Sequence, residues 1–443
     1  MYQIVFHVLV DGERSPFLLD DRGCPLFYPT LFATSQLRNA GAAVNTIKNK
    51  LADIVVLLRW QEEQGRDLLA DFSHGQFLTV ADVVSLRDFT QRDMRGGAGA
   101  GTQVSDSRRR GMLLLEGRVA HTAPRVAVGG KQHYNRLSTI ADYLAFVAAA
   151  LTQHKNSTQD AIQIERMVKM IRRHRPRGLS RHISDDPHAK SPPSELVDRF
   201  MAVVAVTHPQ NPFRDPGVRL RNAVLFGLLR HTGMRRGELL SLRLDQFELG
   251  HEPIVWVRRN QDDAADSRRH QPAAKTKERP LPLPLDLAAQ IQDYVLNYRA
   301  KVPPARRHPY LLISHKRGAT YGQPISQTAL GSQIMAKMRS TDSEFAAIHP
   351  HSFRHHFNYE LSLRVDEHNA RARNRGMGSN LTLITGPREQ DMRAFLNGHR
   401  SKASAAAYNQ RHIREAADQA IRELQSGLIA TSTSRRQSGN EER

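Results

Sequence analysis

Cysteine is almost absent from this chain of 443 residues, since Cys24 is the only one. An intramolecular disulfide is therefore excluded, and so is a zinc site built from several cysteines. A low cysteine content fits a reducing compartment, and we expect a cytoplasmic protein.

Long apolar runs are missing as well. No stretch of the sequence approaches the roughly 18 apolar residues that a membrane-spanning helix needs. The first apolar run is short, and Asp11 and Glu13 follow it closely, which does not match a secretion signal. We therefore expect no membrane partner.

Acidic residues are outnumbered by basic ones. The chain has 64 Lys and Arg against 44 Asp and Glu, a formal charge of +20. This balance favours a polyanionic partner. A generally basic surface would be the plainer explanation, but the arginines are clustered, at 108–110, 172–177 and 268–269.

The first part of the chain predicts two segments. Residues 1–35 predict a small β element, because 4–10 is rich in β-branched residues and 17–19 and 26–28 can add one or two short partner strands. Residues 36–175 predict a helical domain with three amphipathic helices, one capped by Thr46 and ended by Gly65, one after Thr79 and one near 134–151.

The rest of the chain predicts three more segments: a basic linker at 176–194, a second domain at 195–425 and a disordered tail at 426–443. The glycine-rich stretch 95–101 lacks the Lys-Ser/Thr pair of a P-loop. It predicts a flexible basic loop that contacts DNA.

The second domain alternates helical and extended patterns. An apolar helix at 220–229 ends near Gly233, which places Arg235 at the start of the next helix. Residues 254–257 and 279–285 predict two strands, and alternate prolines make the second an edge strand. The predicted fold class is mainly α with a small antiparallel β-sheet.

Four short motifs in this domain carry residue types suited to phosphate chemistry. They are Thr232-Gly233-Met234-Arg235, Lys275-Thr276-Lys277, His351-Ser352-Phe353-Arg354-His355, and Leu396-Asn397-Gly398-His399 followed by Tyr408. Arginine binds phosphate oxygens bidentately and keeps its charge. Lysine can lose a proton to a leaving group, and tyrosine becomes a nucleophile when a base or a nearby positive charge helps it to ionise.

In their order and spacing, these motifs resemble the active site of the tyrosine recombinases, the phage-integrase family of site-specific DNA recombinases. The resemblance covers 195–425 well, whereas 36–175 is similar to the family's helical core-binding domain only in general pattern. It implies a core-binding domain followed by a tyrosine-recombinase catalytic domain.

The resemblance also implies the site residues and their partners. The implied catalytic residues are Arg235, Lys275, His351, Arg354, His399 and Tyr408. Tyr408 would attack double-stranded DNA to give a 3′-phosphotyrosyl link, with no metal or other cofactor. The resemblance further implies dimers that assemble into a tetramer on DNA, accessory proteins as partners, and an origin in a mobile element.

Several alternatives stay open at this point. Lys277 competes with Lys275 for the lysine role, Arg235 can simply pair with Glu238, and the i, i+4 pair His351 and His355 can bind zinc. A type IB topoisomerase and a catalytically inert DNA-binding protein are the competing functions. Two long segments, 364–388 and the hairpin tip 260–274, have no assigned role.

Overall fold

The computed structural model describes residues 2–94, 127–155, 157–177, 191–374, 382–399, 408 and 410–438. It is mainly helical with two small antiparallel sheets, which confirms the predicted fold class. The chain divides into an amino-terminal unit, residues 1–9 and 14–182, and a carboxy-terminal unit, residues 10–13 and 183–443.

A β-hairpin opens the amino-terminal unit. Strands β1 (Gln3–Val8) and β2 (Arg14–Leu19) pair antiparallel over their whole length. A further strand at Leu26–Tyr28, considered from the sequence, is wrong, because helix α1 (Phe27–Phe32) begins there. Proline has no N–H for a strand ladder, but Pro29 fits the first turn of a helix.

In the part of this unit that the structure describes, six helices build the core. After α1 and its π-helical continuation at Ala33–Arg38 come α2 (Val44–Gln64), α3 (Leu68–Ser73), α4 (Val80–Thr90), α5 (Gly130–Thr152) and α6 (Thr158–Arg173). The three predicted helices are α2, α4 and α5. The pattern missed α6 because it buries only Met167 and Ile171 within a charged sequence.

The ends of these helices show which local signals were informative. Gly65 ends α2 in the left-handed conformation, with φ 62°, as the pattern predicted. Thr46 does not cap α2, which starts two residues earlier after Ala43 without a side-chain cap. Thr79 forms a capping box with Asp82 at the start of α4.

The carboxy-terminal unit is built around one almost wholly buried helix. The first helices of the unit are α7 (Ser194–Val204), α8 (Pro216–Thr232) and α9 (Arg236–Leu240), and α8 is the buried one. Phe226 of α8 lies 5.0 Å from Phe200 and 5.8 Å from Phe353, between ring centroids. Gly233 ends α8 with φ 59°, and a Cβ there would lie 2.5 Å from the Phe357 ring.

A three-stranded antiparallel sheet follows, in the order β3 (Phe247–Glu248), β4 (Ile254–Val257), β5 (Arg279–Pro282). Strand β5 is an edge strand, as its prolines predicted. The sequence pattern missed β3, which is only two residues long.

The remaining helices carry most of the candidate site. They are α10 (Leu285–Asp293, continuing as a π-helix at Tyr294–Arg299), α11 (Gln327–Ala329), α12 (Ala336–Arg339), α13 (Pro350–Asn374), α14 (Gly386–Asn397) and α15 (Gln410–Ser438). A π-helical segment, Leu330–Met335, joins α11 to α12.

Three expectations for the ends and loops need comment. The expected disordered tail at 426–443 is corrected as far as Ser438, because α15 continues to that residue through a sequence without proline. The first part of the long segment 364–388 is the end of α13. The glycine-rich stretch 95–101 and most of the linker 176–194 lie outside the described residues.

Within the described ranges, no helix is both long and apolar enough to cross a membrane.

Candidate active site

Arg235 is the N-cap residue of α9 and lies two residues after Gly233, which ends α8 in the left-handed conformation. Its backbone N–H donates to Glu238 Oε2 at 2.9 Å, so the helix start is fixed from within. The guanidinium Nη1 lies 3.6 Å from Glu238 Oε1 and donates to the carbonyl of Asn397 at 3.4 Å. The side chain remains 33% exposed, so Arg235 can still reach a ligand from solvent.

Arg354 lies on α13 and is fully buried. Its Nη1 donates to the carbonyl of Gly233 at 3.0 Å and its Nη2 to the carbonyl of Asn397 at 2.8 Å. Burial and then the charge of Arg235 lower the pKa of Arg354 to about 10. The residue still carries its charge at neutral pH, and its backbone contacts fix the plane of the fork.

His399 follows the left-handed Gly398, which ends α14 with φ 61°. Arg354 Nη2 donates to His399 Nε2 at 3.0 Å, and arginine cannot accept a proton in return. The proton of the neutral ring is therefore assigned to Nδ1. Burial, followed by the charges of Arg354 and Arg235, lowers the pKa of His399 to about 4, so the ring is neutral at pH 7.

Tyr408 lies against this group of side chains. Its ring stacks on His399 with centroids 5.3 Å apart, and the Arg354 guanidinium lies 5.0 Å from its centroid. His355 and His351 lie at 4.9 and 5.8 Å, between ring centroids. A phenol is thus surrounded by one arginine and three histidines of its own chain.

His351 and His355 are one helical turn apart on α13, and their rings meet edge to face at 4.7 Å. Although part of His351 is exposed, loss of contact with water lowers its pKa. The charges of Arg354, His349 and Arg235 lower it further. A neutral imidazole beside a phenol can accept its proton. As for the zinc alternative, no group of three potential metal ligands occurs within the described part of the chain.

Lys275 lies outside the cluster. It is exposed in the segment just before β5, as is Lys277. The main chain of Lys277 is nevertheless tied to the site, because its N–H donates to the carbonyl of Gly398 at 3.0 Å. Of the six predicted residues, five form one cluster: His351, Arg354 and His399 lie against Tyr408, and Arg235 shares the carbonyl of Asn397 with Arg354. Lys275 is carried on the adjoining segment.

A buried ion pair beneath the arginines was not predicted from the sequence. Arg279 Nη2 donates to Glu238 Oε2 at 3.0 Å, and Thr276 Oγ1 donates to Glu238 Oε1 at 2.7 Å. Burial alone would raise the pKa of Glu238, but Arg279, Thr276 and Arg354 hold it below its ordinary value. Glu238 is therefore a carboxylate within a cluster of positive charge.

Arg279 also joins the β4–β5 segment to the end of α14. Its Nε donates to the carbonyl of Leu396 at 2.7 Å and its Nη1 to Thr276 Oγ1 at 3.0 Å. A Cβ at Gly398 would lie 2.5 Å from Arg279 Nη1, so this turn has room only for glycine. In the sequence, Arg279 stands out only because it follows Lys275 by four residues. The main-chain carbonyls that Arg279 contacts cannot be recognised from the sequence.

Comparison with known proteins gives a consistent result. A model described as the phage integrase family matches residues 208–366, a range that contains four of the six predicted residues and ends before His399 and Tyr408. Tyrosine recombinase XerD of Halalkalibacterium halodurans is 26% identical over 146 residues, which are 32% of this chain and 41% of that protein. The match thus spans less than half of the relative's length.

Two solved structures are also similar to this chain. XerA recombinase is 17% identical, with 64% of this chain and 81% of that chain covered and a TM-score of 0.32. XerH site-specific recombinase, bound to a palindromic difH substrate in a post-cleavage complex, is 14% identical, with 65% and 82% covered and a TM-score of 0.38.

Proposed function

We propose that the chain is a member of the phage integrase family of tyrosine recombinases, and that it cleaves and rejoins double-stranded DNA at specific sites through a 3′-phosphotyrosyl intermediate on Tyr408. One observation carries the proposal. The Tyr408 ring lies within 5.8 Å of the rings of His351, His355 and His399 and within 5.0 Å of the Arg354 guanidinium.

The first step follows from these neighbours. Tyr408 Oη attacks the DNA phosphorus as His351, neutral because its pKa is lowered, takes the phenolic proton. The bond from phosphorus to the 5′ oxygen breaks, and Lys275 gives that oxygen a proton. The reverse step, with a 5′ hydroxyl of another duplex, completes strand exchange.

Positive charge around the phosphate stabilises the transition state, as phosphoryl transfer requires. Arg235 is partly exposed and can bind a phosphate oxygen directly. Arg354 has already directed both terminal nitrogens to protein acceptors, but its Nε is buried and has no acceptor within the described residues. We assign that Nε–H to the phosphate, because the Arg354 guanidinium lies 5.0 Å from the centroid of the Tyr408 ring.

The adduct between protein and DNA provides the direct test. The full chain is incubated with sheared genomic DNA of its host, reactions are stopped with detergent, and DNA that remains attached to protein is recovered and sequenced. A synthetic duplex of the recovered sequence, nicked beside the cleaved bond, then serves as the defined substrate. We expect an adduct that Tyr408→Phe abolishes.

A matched control separates loss of the nucleophile from loss of a tyrosine. Tyr359 lies on α13, where its hydroxyl donates to Glu415 at 2.8 Å and its ring contacts the Arg411 guanidinium. Tyr359→Phe should keep the adduct. An adduct that persists in Tyr408→Phe would refute the assignment, and supercoil relaxation without exchange between sites would favour a type IB topoisomerase.

The pH profile tests the base. Since the pKa of His351 is lowered, His351 remains able to accept a proton below pH 6.5, and cleavage should not decline as an ordinary histidine titrates. His351→Gln should reduce the cleavage rate by about 10²-fold or more. A rate that falls tenfold between pH 7 and 6 in the parent chain, with Tyr408 intact, would contradict this role.

The remaining parts of the proposal concern partners and context. Ile413 and Ile421 of α15 are exposed, 57% and 51%, and offer an apolar face to a second copy of the chain. We propose a dimer that assembles to a tetramer on DNA, with accessory proteins as further partners, and an element that moves between DNA sites as the source. Sedimentation of the chain with the nicked duplex measures the assembly.

A further inference from the structure

Two buried asparagines form a reciprocal pair behind the arginines. Asn397 Nδ2 donates to Asn358 Oδ1 at 2.6 Å, and Asn358 Nδ2 donates to Asn397 Oδ1 at 3.2 Å. Both residues are 0% exposed, and they join α13 to the last residue of α14. We call these two residues the amide pair.

Main-chain acceptors fix the orientation of both amides. Asn358 Nδ2 also donates to the carbonyl of Arg354 at 2.7 Å, and Asn397 Nδ2 to the carbonyl of Arg393 at 2.9 Å. Turning either amide over would place its oxygen against a carbonyl oxygen. The pair therefore has one satisfied arrangement, and every amide nitrogen and oxygen takes part.

The backbone carbonyl of Asn397 is the group that this pair holds. As the last residue of α14, Asn397 has a carbonyl without a partner inside the helix. That carbonyl accepts from Arg354 Nη2 at 2.8 Å and from Arg235 Nη1 at 3.4 Å. One oxygen thus sets the direction of both arginines, which come from α13 and the start of α9.

We propose that Asn358 and Asn397 are positioning residues that aim Arg235 and Arg354 at the DNA phosphate through the carbonyl of Asn397. The inference rests on the proposed function, since it assumes that the two arginines bind a phosphate. Neither amide reaches the reacting atoms, so their effect is on the geometry of the clamp. A tilt of the carbonyl moves both guanidinium groups together.

A purely structural role makes a different prediction from a positioning role. Removing one amide leaves its buried partner unsatisfied, whereas replacing both by apolar side chains of similar total volume can restore stability. If the pair only stabilises the fold, activity returns with stability. If the pair aims the arginines, stability returns and the cleavage rate stays low.

The test uses Asn358→Ala, Asn397→Leu and the double variant, with the nicked duplex described above. We expect each single variant to lower the melting temperature and the double variant to recover most of that loss. Under single-turnover conditions, the double variant should cleave at least tenfold more slowly than the parent chain, with DNA affinity within about threefold of the parent value.

A stability-matched control keeps the test decisive if the double variant does not recover. Ile334 is buried in the apolar core of the same unit, and Ile334→Ala lowers stability without touching the site. Below the melting transition, the amide variants should cleave more slowly than Ile334→Ala. Equal rates, or a double variant that cleaves like the parent, would overturn the inference.

The same assay separates this inference from the function on which it rests. If the parent chain forms no adduct that Tyr408→Phe abolishes, the proposed function fails before the amide pair is tested. If the parent forms the adduct and the double variant forms it at the same rate, only the inference fails.

Discussion

Both units bury charged side chains, among them Arg14 and Arg136 in the amino-terminal unit, but the carboxy-terminal unit places them beside its candidate site. The amino-terminal core is a cluster of aliphatic and aromatic residues, with Leu51, Ile54 and Trp60 at its centre. The carboxy-terminal unit has an apolar core of its own, and its buried charged side chains include Glu238 and Arg279. Apolar packing tolerates substitution if volume is kept, whereas a buried ion pair depends on each partner.

The difference bears on whether buried groups stabilise the fold or orient side chains. A buried charge costs free energy unless hydrogen bonds satisfy it, so a network of such groups adds little net stability but fixes directions. In the carboxy-terminal unit the satisfied groups lie directly beneath Arg235 and His399. None of the six predicted catalytic residues lies in the amino-terminal unit.

Removal of Arg279 should give the largest effect. Arg279→Met leaves the Glu238 carboxylate buried without its ion-pair partner, and we expect a loss of about 3–5 kcal/mol in the free energy of unfolding. Denaturant unfolding followed by the fluorescence of Trp256, on the neighbouring strand β4, measures it in a Trp60→Phe background.

The double variant Arg279→Met, Glu238→Leu is the control, because it removes both charges. It should recover much of the lost stability. A loss below 1 kcal/mol in the single variant would show that this ion pair is no more demanding than an apolar contact, and the contrast between the two interiors would disappear.

His356 predicts a pH dependence in the carboxy-terminal unit. It is fully buried, and burial followed by the charges of Arg230 and Arg411 lowers its pKa to about 3. The unfolded chain then binds a proton that the folded chain refuses, so stability falls as pH drops from 6.5 toward 3. The shift corresponds to roughly 5 kcal/mol at most.

His356→Leu should flatten this part of the stability profile, read again from Trp256. Between pH 7 and 5 the variant should lose less stability than the parent. If the two profiles stay parallel over that range, His356 is not the group that titrates.

Asp53 predicts the opposite slope in the amino-terminal unit. Burial raises its pKa to about 6, although the hydrogen bond from Thr139, 3.0 Å long, opposes the shift. Its contribution is complete below pH 3.8 and is lost as pH rises through 6. The change in the free energy of unfolding caused by Asp53→Asn should therefore be more favourable at pH 7 than at pH 4. We expect a difference of about 1 kcal/mol, because the side chain is partly exposed.

Trp60, buried on α2 and donating to Ser85 Oγ at 3.1 Å, reports this unit in a Trp256→Phe background. The effect of Asp53→Asn on unfolding should change with pH when read from Trp60. An effect that is the same at pH 4 and pH 7 would mean that the Asp53 carboxyl has an ordinary pKa in the folded chain.

Sequence patterns could predict the apolar interior better than the polar one. Helical spacing located α2, α4 and α5, and the αL glycines Gly65 and Gly233 marked helix ends. The motif arginines, histidines and Tyr408 were also recognisable, because their residue types are tied to phosphate chemistry. Such signals are local and depend on side-chain identity.

The contacts that orient these residues could not be predicted. Arg354 is held by the carbonyls of Gly233 and Asn397, and every residue has a carbonyl. The pairing of Asn358 with Asn397 depends on two helices meeting, which periodicity does not specify. Helix α15 was cut short in the prediction because Ser- and Thr-rich composition resembles a disordered tail.

The smallest predicted effect concerns a helix start in the amino-terminal unit. Thr79 caps α4 by accepting from the N–H of Asp82 at 3.3 Å, while Asp82 Oδ2 accepts from the N–H of Thr79 at 2.8 Å. Thr79→Ala removes one half of this box and should cost about 1 kcal/mol, measured from Trp60. Thr79→Ser keeps the hydroxyl and should cost less than half as much. The cleavage rate should be unchanged in both, because the six predicted catalytic residues lie in the carboxy-terminal unit, and a tenfold slower rate would show that the amino-terminal unit orients the reacting groups as well.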